Sequence, residues 1–282
     1  MMRLVKFIAR AGVASRRAAE ALIKEGHVKL NGKVVKEPGI MVDPVEDRVQ
    51  VKNKELSSPF SPLYILLNKP KGVVTTLRDP HGRTTVRDLL KGIQRRVFPV
   101  GRLDYHTEGV LLLTNDGELA QKLLHPRYQL ERTYQAKVKG VPSKAALQKI
   151  RTGLELEPGV VMRARVRVLK HLKANSWLEL TLCEGKYREV RRMCEAVGHP
   201  VLALKRTRFG PLSVQGLPPG AYRHLTQLEL DLLRKTVHGK GNNESESKQR
   251  AGSNKKLVRG KRALDSKGKK GSPGKTGGSS RS

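Results

Sequence analysis

The apolar positions of this chain change period several times, and each change marks an element. Leu4, Phe7, Ile8 and Ala11 recur at helical spacing, and Gly12 ends that helix. Ser15 is a good N-cap for a second helix over "RRAAEALIKE", with Ala18, Ala21 and Leu22 as its apolar face and Gly26 just past its end. "HVKLNGKVV" then predicts two short strands around Asn31-Gly32, the strongest short-range hairpin signal. From residue 63 the runs "LYILLN", "VVTTL", "GVLLLT", "TYQAKVKG", "ARVRVL", "WLELTLCEG" and "LSVQGL" have strand length and β-branched content. Helical stretches stand between them at "DGELAQKLLH", "SKAALQKIRTG" and "YREVRRMCEAVG". Helices inserted irregularly among strands predict an α+β domain around a mostly antiparallel sheet. A doubly wound nucleotide-binding domain is not expected, because no G-x-G-x-x-G follows a strand and no G-x-x-x-x-G-K-[ST] occurs.

Composition divides the chain further. Residues 51–62, with two prolines and three serines, read as a linker between a unit at 2–50 and a larger one at 63–236. Residues 237–282 turn to Gly, Ser, Lys and Arg with few large apolar side chains, so a disordered tail is expected there. The whole chain carries 57 Lys and Arg against 25 Asp and Glu, a formal charge of +32. A field of that sign concentrates polyanions, which favours nucleic acid as the partner. In the first unit Arg16, Arg17, Lys24, Lys29 and Lys33 can share one surface, a patch suited to a phosphate backbone. The two cysteines, Cys183 and Cys194, form no CxxC and no metal-ligand spacing, and fit reduced cytosolic thiols. No apolar run approaches the roughly 18 to 20 residues that span a bilayer. A cytoplasmic monomer that binds no membrane is the expectation.

Against this basic background the stretch "PVGRLDYHTEGVLLLTNDGEL", 99–119, sets Asp104, Glu108 and Asp116 around the most apolar run. Asp116 and Glu118 are explained as the cap and first turn of the following helix. Asp104 admits three readings: turn chemistry, a metal ligand with Glu108, or one carboxylate of a reactive pair. Arg102 lies two residues before it and shares its face if the backbone is extended there.

Longer strings carry a resemblance. "RLVKFIARAGVASRRAAEALIKEGHVKLNG" resembles the αL RNA-binding motif of ribosomal-protein type. "GRLDYHTEGVLLLTNDG" at 101–117 resembles the central motif of the RsuA/RluB-type ribosomal RNA pseudouridine synthases. "LLNKPKGVVTT" at 66–76, "ERTYQAKV" at 131–138 and "LTLCEGKYREVRRM" at 180–193 resemble their other motifs, in the same order. The resemblance implies isomerisation of uridine to pseudouridine without cofactor or metal, with Asp104 as the nucleophile. It implies that Arg191 pairs with Asp104, and a neighbouring Arg lowers a carboxylate pKa by about 1 to 3 units. Tyr134 is implied to stack on the target base, which must be extruded from the RNA. Arg102, Arg16, Arg17, Lys29, Lys186 and Arg188 are the residues expected to hold RNA. "KYREVRRM" and the basic tail point to large-subunit 23S rRNA, in a subunit or an assembly intermediate. The small-subunit 16S rRNA is the alternative target; a non-catalytic ribosome-assembly factor and a metal-dependent nuclease are the alternatives of other classes.

Overall fold

The computed structural model describes residues 1–56 and 61–237. At the N-terminus, helices Leu4–Arg10 and Arg16–Lys24 pack beside a small sheet ordered Lys33–Val35, Val28–Leu30, Val49–Val51, Lys54–Glu55. Leu4, Phe7, Ile8, Ala19, Ile23, Val28, Val42, Val49 and Val51 form a core of their own. The Ser15 hydroxyl accepts from the Ala18 amide, as the N-cap expectation requires. Asn31 (φ 49°) and Gly32 (φ 83°) turn the hairpin in the left-handed region. The fully buried positions of the second helix are Ala19 and Ile23; of the expected Ala18, Ala21 and Leu22, Leu22 packs partly buried on the same core while the two alanines are exposed. The expected and observed faces differ by one residue, about 100° of rotation, and the longer side chain of Ile23 takes the inner position.

The larger part is built on a nine-stranded sheet. Its main path runs Arg165–His171, Asn175–Leu182, Arg132–Lys139, Val201–Phe209, Thr107–Thr114, Tyr64–Lys69, Tyr222–His224. Leu212–Ser213 and Phe98–Pro99 add short edges to the fourth and fifth of these. Every pairing is antiparallel except the central one, where Val201–Phe209 runs parallel to Thr107–Thr114 with Leu204 opposite Thr107 and Arg206 opposite Gly109. Fold and class therefore agree with the α+β expectation.

Both faces of the middle strands are covered, which is why they read as continuous apolar runs rather than alternations. Tyr64, Leu66, Val110 and Leu112 pack on one side with the helix Gly117–Leu124 and the helical residues 227–237. Ile65, Leu67, Leu111 and Leu113 pack on the other with Val73, Val86, Leu90 and Val97. The second half of the sheet buries Ala136, Val138, Leu178 and Leu180 under helices Lys144–Thr152 and Glu189–Ala196.

Three expectations change. "VVTTL" is not a strand but a loop with one bridge, Val74 to Thr85. Its valines instead pack downward or bridge, and Thr75 is drawn off to hold the neighbouring loop. "LSVQGL" contributes only Leu212–Ser213. The strand Val201–Phe209 goes unpredicted because its second half, "KRTRF", is strongly polar. Residues 57–60 of the expected linker and 238–282 of the expected tail lie outside the described residues.

The central parallel pair leaves no room for a side chain. A Cβ on Gly109, whose φ is +111°, would stand 2.0 Å from the Arg206 carbonyl oxygen. Gly109→Ala should therefore cost about 3 kcal/mol or more of unfolding free energy in a denaturant titration, and a cost below about 1 kcal/mol would contradict this packing.

Candidate active site

Asp104 sits in the loop that joins Phe98–Pro99 to Thr107–Thr114, and that loop is fastened from below. Val100 donates its amide to Leu112 (2.8 Å), and the Thr75 hydroxyl donates to the Leu103 carbonyl (2.6 Å). Beneath it lies Lys69, fully buried at the end of its strand. Its Nζ donates to the carbonyls of Pro70 (3.0 Å), Asp104 (3.1 Å) and Thr107 (3.0 Å). The three donors of one ammonium thus meet three loop carbonyls. Burial pushes the Lys69 pKa down to about 8, and the charges of Asp104 and Glu108 pull partly the other way.

Across the loop, the helix Glu189–Ala196 presents Arg191. Its Nε stands 3.9 Å from Asp104 Oδ2. The two terminal nitrogens donate to backbone carbonyls, Nη1 to Val201 (3.3 Å) and Nη2 to His106 (3.4 Å). The guanidinium is thereby aimed, with Nε buried and free of any hydrogen bond on the carboxylate side. Burial lowers the Arg191 pKa, as does the neighbouring Arg188, while Asp104 raises it. The Asp104 side chain itself is 38% exposed, so a ligand can reach it.

Tyr134 comes from Arg132–Lys139, paired in register with Leu180 on one side and Arg206 on the other. Asp104, Tyr134 and Arg191 line one cavity of about 330 Å³, and Arg102, Lys186 and Arg188 line it too. Residues from both halves of the sheet meet here, although 30 or more positions separate the three in the chain. Lys186 is paired with Glu184 at 2.8 Å.

The remaining expected residues lie elsewhere. Glu108 does not line this cavity and is paired with Lys71 at 3.1 Å, so it forms no reactive pair with Asp104. Among the described residues no three His, Cys, Asp or Glu side chains come together in a metal-ligand arrangement. Asp116 caps the helix Gly117–Leu124 through the amides of Glu118 and Leu119, and also accepts from the Tyr64 hydroxyl. Arg16 lines a separate cleft of about 750 Å³ with Lys6, Arg96 and Phe98, while Arg17 is exposed and Lys29 half-buried on the hairpin. Sequence reading missed Lys69, Arg132 and Arg206. The polar-to-apolar mismatch of a Lys ending the run "YILLN" is the one signal that could have found the first.

Comparison with known proteins supplies the class. The RNA pseudouridylate synthase profile matches residues 63–196, and the S4 domain profile matches residues 2–49. The chain belongs to the RNA pseudouridine synthase family, isomerases acting on uridine in RNA, and carries an N-terminal S4 domain. It is 49% identical over 243 residues to ribosomal large subunit pseudouridine synthase B of Bacillus subtilis (strain 168), covering 85% of this chain and 99% of that one. It is 48% identical over 237 residues to an uncharacterized RNA pseudouridine synthase of Aquifex aeolicus (strain VF5), covering 84% and 95%. A crystal structure of a pseudouridylate synthase aligns with a TM-score of 0.59 at 30% identity, over 83% of this chain and all of the other.

Lys69 offers a direct check of the site's foundation. Its pKa falls from 10.5 in the unfolded chain to about 8 in the fold, so between those pH values the unfolded chain binds the proton more tightly. The stability of wild type relative to Lys69→Met should thus rise from pH 8 to pH 10.5, by up to about 1.4 kcal/mol per pH unit. A flat difference across that window would contradict a buried cation under the Asp104 loop.

Proposed function

We propose that Asp104 is the carboxylate that acts on the target nucleotide, that Arg191 pairs with it and orients it, and that Tyr134 stacks on the extruded base. The observation that carries this is the juxtaposition of the three around one cavity, with the free Nε of Arg191 turned to Asp104. A single carboxylate can bond to the sugar or the base, or remove a sugar proton, and each route lets the glycosidic bond open and re-form through carbon. Arg102, Lys186 and Arg188 at the cavity are taken as contacts to the RNA around the target. Arg16, Arg17 and Lys29 belong to a separate backbone-binding surface on the S4 domain.

The substrate is taken to be ribosomal RNA, and specifically large-subunit 23S rRNA, in a subunit or an assembly intermediate. The near full-length similarity to a relative named for the large subunit supports this. The enzyme is taken to act as a monomer in the cytoplasm; no helix among the described residues is long and apolar enough to cross a membrane. The expected division at 2–50, 51–62, 63–236 and 237–282 shifts at two points, because Val51 and Lys54–Glu55 still belong to the small sheet and Val237 is buried at the end of a helix packed on the catalytic core; the working division is an RNA-binding domain at 2–56 and a catalytic domain at 61–237.

The test is Asp104→Asn assayed in vitro on a substrate RNA, with product formation and RNA Kd measured in the same buffer containing EDTA. Product should fall to background while Kd stays within about threefold, because phosphate contacts dominate affinity. Residual turnover above about 1% of wild type would remove Asp104 from this role. Wild-type activity abolished by EDTA with the RNA still folded would instead favour a metal-dependent reaction.

A further inference from the structure

The cavity beside Asp104 is floored by two buried arginines that the roles above leave unused. Arg132 and Arg206 lie on adjoining strands, 6% and 3% exposed. Both lay their guanidinium groups over the ring of Phe209, at 5.6 and 5.0 Å from its centroid. Each is tied down by one part of its fork only. Arg132 Nη1 donates to the carbonyls of Leu130 (3.1 Å) and Cys183 (2.9 Å), and Arg206 Nε donates to the carbonyl of Val110 (2.8 Å). Arg206 Nη2 is buried with no partner, and among the described residues Arg132 Nε and Nη2 make no hydrogen bond and are open to the cavity. Gly185 at the cavity wall lies over this free edge: a Cβ there would stand 3.6 Å from Arg132 Nε.

Charge compensation is also incomplete. Arg132 feels the charge of Glu189, yet the two form no ion pair. Arg206 is close enough to Arg132 to oppose its charge. Buried polar groups are normally hydrogen-bonded, and a buried cation without a counter-charge is costly. Of the four buried side-chain atoms without a hydrogen bond among the described residues, Arg191 Nε faces Asp104, and two others, Thr107 Oγ1 and Arg206 Nη2, belong to residues lining this cavity. A purely structural arginine pair would have its donors met by the protein. These donors are left for something that enters.

We propose that Arg132, reinforced by the charge of Arg206, donates to a carbonyl oxygen of the extruded uracil and stabilises the negative charge the ring acquires as its glycosidic bond breaks. When the C1′–N1 bond opens, its electron pair stays on N1 and spreads onto O2 and O4. The sugar is satisfied either by a bond from the Asp104 carboxylate to C1′ or by the C2′–H electron pair as that carboxylate takes the proton. C5 then attacks C1′, returning the pair to a new C1′–C5 bond, while the C1′–O bond to Asp104 breaks with its pair going back to the carboxylate or, on the other route, C2′ takes its proton back from Asp104; the C5 proton leaves and N1 gains a proton. A fixed guanidinium in a low-dielectric floor acts most strongly on the charge-separated stage. The role presupposes that the base enters the cavity beside Asp104.

The experiment compares single-turnover rates and RNA Kd for wild type, Arg132→Gln, Arg132→Lys and Asp104→Asn. Two RNAs are used, one with uridine and one with 5-fluorouridine at the target, whose fluorine stabilises the base anion. Loss of the starting nucleoside, read by mass spectrometry after digestion, reports cleavage of the glycosidic bond. Arg132→Gln should slow the uridine substrate about 100-fold with Kd within about twofold. On 5-fluorouridine the defect should shrink to about tenfold, and Arg132→Lys should recover at least fivefold on uridine. An equal defect on both RNAs, no defect, or a change confined to Kd would overturn the proposal. If Arg132→Gln does not fold, Arg132→Lys decides alone by the same comparison of substrates. Activity in Asp104→Asn would instead remove the assumption about Asp104, a separate failure.

Discussion

The close approach of Gly109 to the Arg206 backbone is the constraint on which the rest depends. It is the one parallel contact in an otherwise antiparallel sheet, and it joins two halves that have separate cores. The half containing Tyr64–Lys69 and Thr107–Thr114 supplies the Asp104 loop. The half containing Arg132–Lys139 and Asn175–Leu182 supplies Tyr134 and the helix that carries Arg191. Because the seam tolerates no side chain at residue 109, the halves stand at a fixed separation, and the carboxylate meets the guanidinium across it.

Placing carboxylates around an apolar run in a strongly basic protein has a different cause at each position. Asp116 serves a helix end, Glu108 meets Lys71, and of the three only Asp104 lines the cavity that holds Tyr134 and Arg191. The cations are divided in the same way. Lys69 is spent on loop carbonyls and Arg191 on two backbone oxygens, while the buried forks of Arg132 and Arg206 retain free donors. Excess positive charge therefore works at two depths: outside it attracts a polyanion from a distance, and inside it sets the electrostatics where the base would lie.

Much of this was legible before the structure. Asn31-Gly32, the Ser15 and Asp116 caps, and the apolar runs "LYILLN" and "GVLLLT" are local signals, and the structure agrees with each of them. The grouping of Asp104, Tyr134 and Arg191 came from motif resemblance, since no spacing rule joins residues from separate strands and a helix. What escaped is long-range. Val201–Phe209 looks polar because Arg206 is buried by its neighbours in the sheet rather than by its own pattern, and Lys69 looks like a surface lysine after a strand. The face of the second helix was misplaced by one residue because short alanines leave little hydrophobic contrast.

The function proposed for this chain is isomerisation of a uridine of ribosomal RNA through Asp104. The most direct measurement is pseudouridine mapping of both rRNAs by carbodiimide-stop sequencing, in cells lacking the gene and complemented with wild type or Asp104→Asn. One site in large-subunit rRNA should disappear without the gene and return only with wild type. A site restored by Asp104→Asn, or no change at any position of either rRNA, would contradict it.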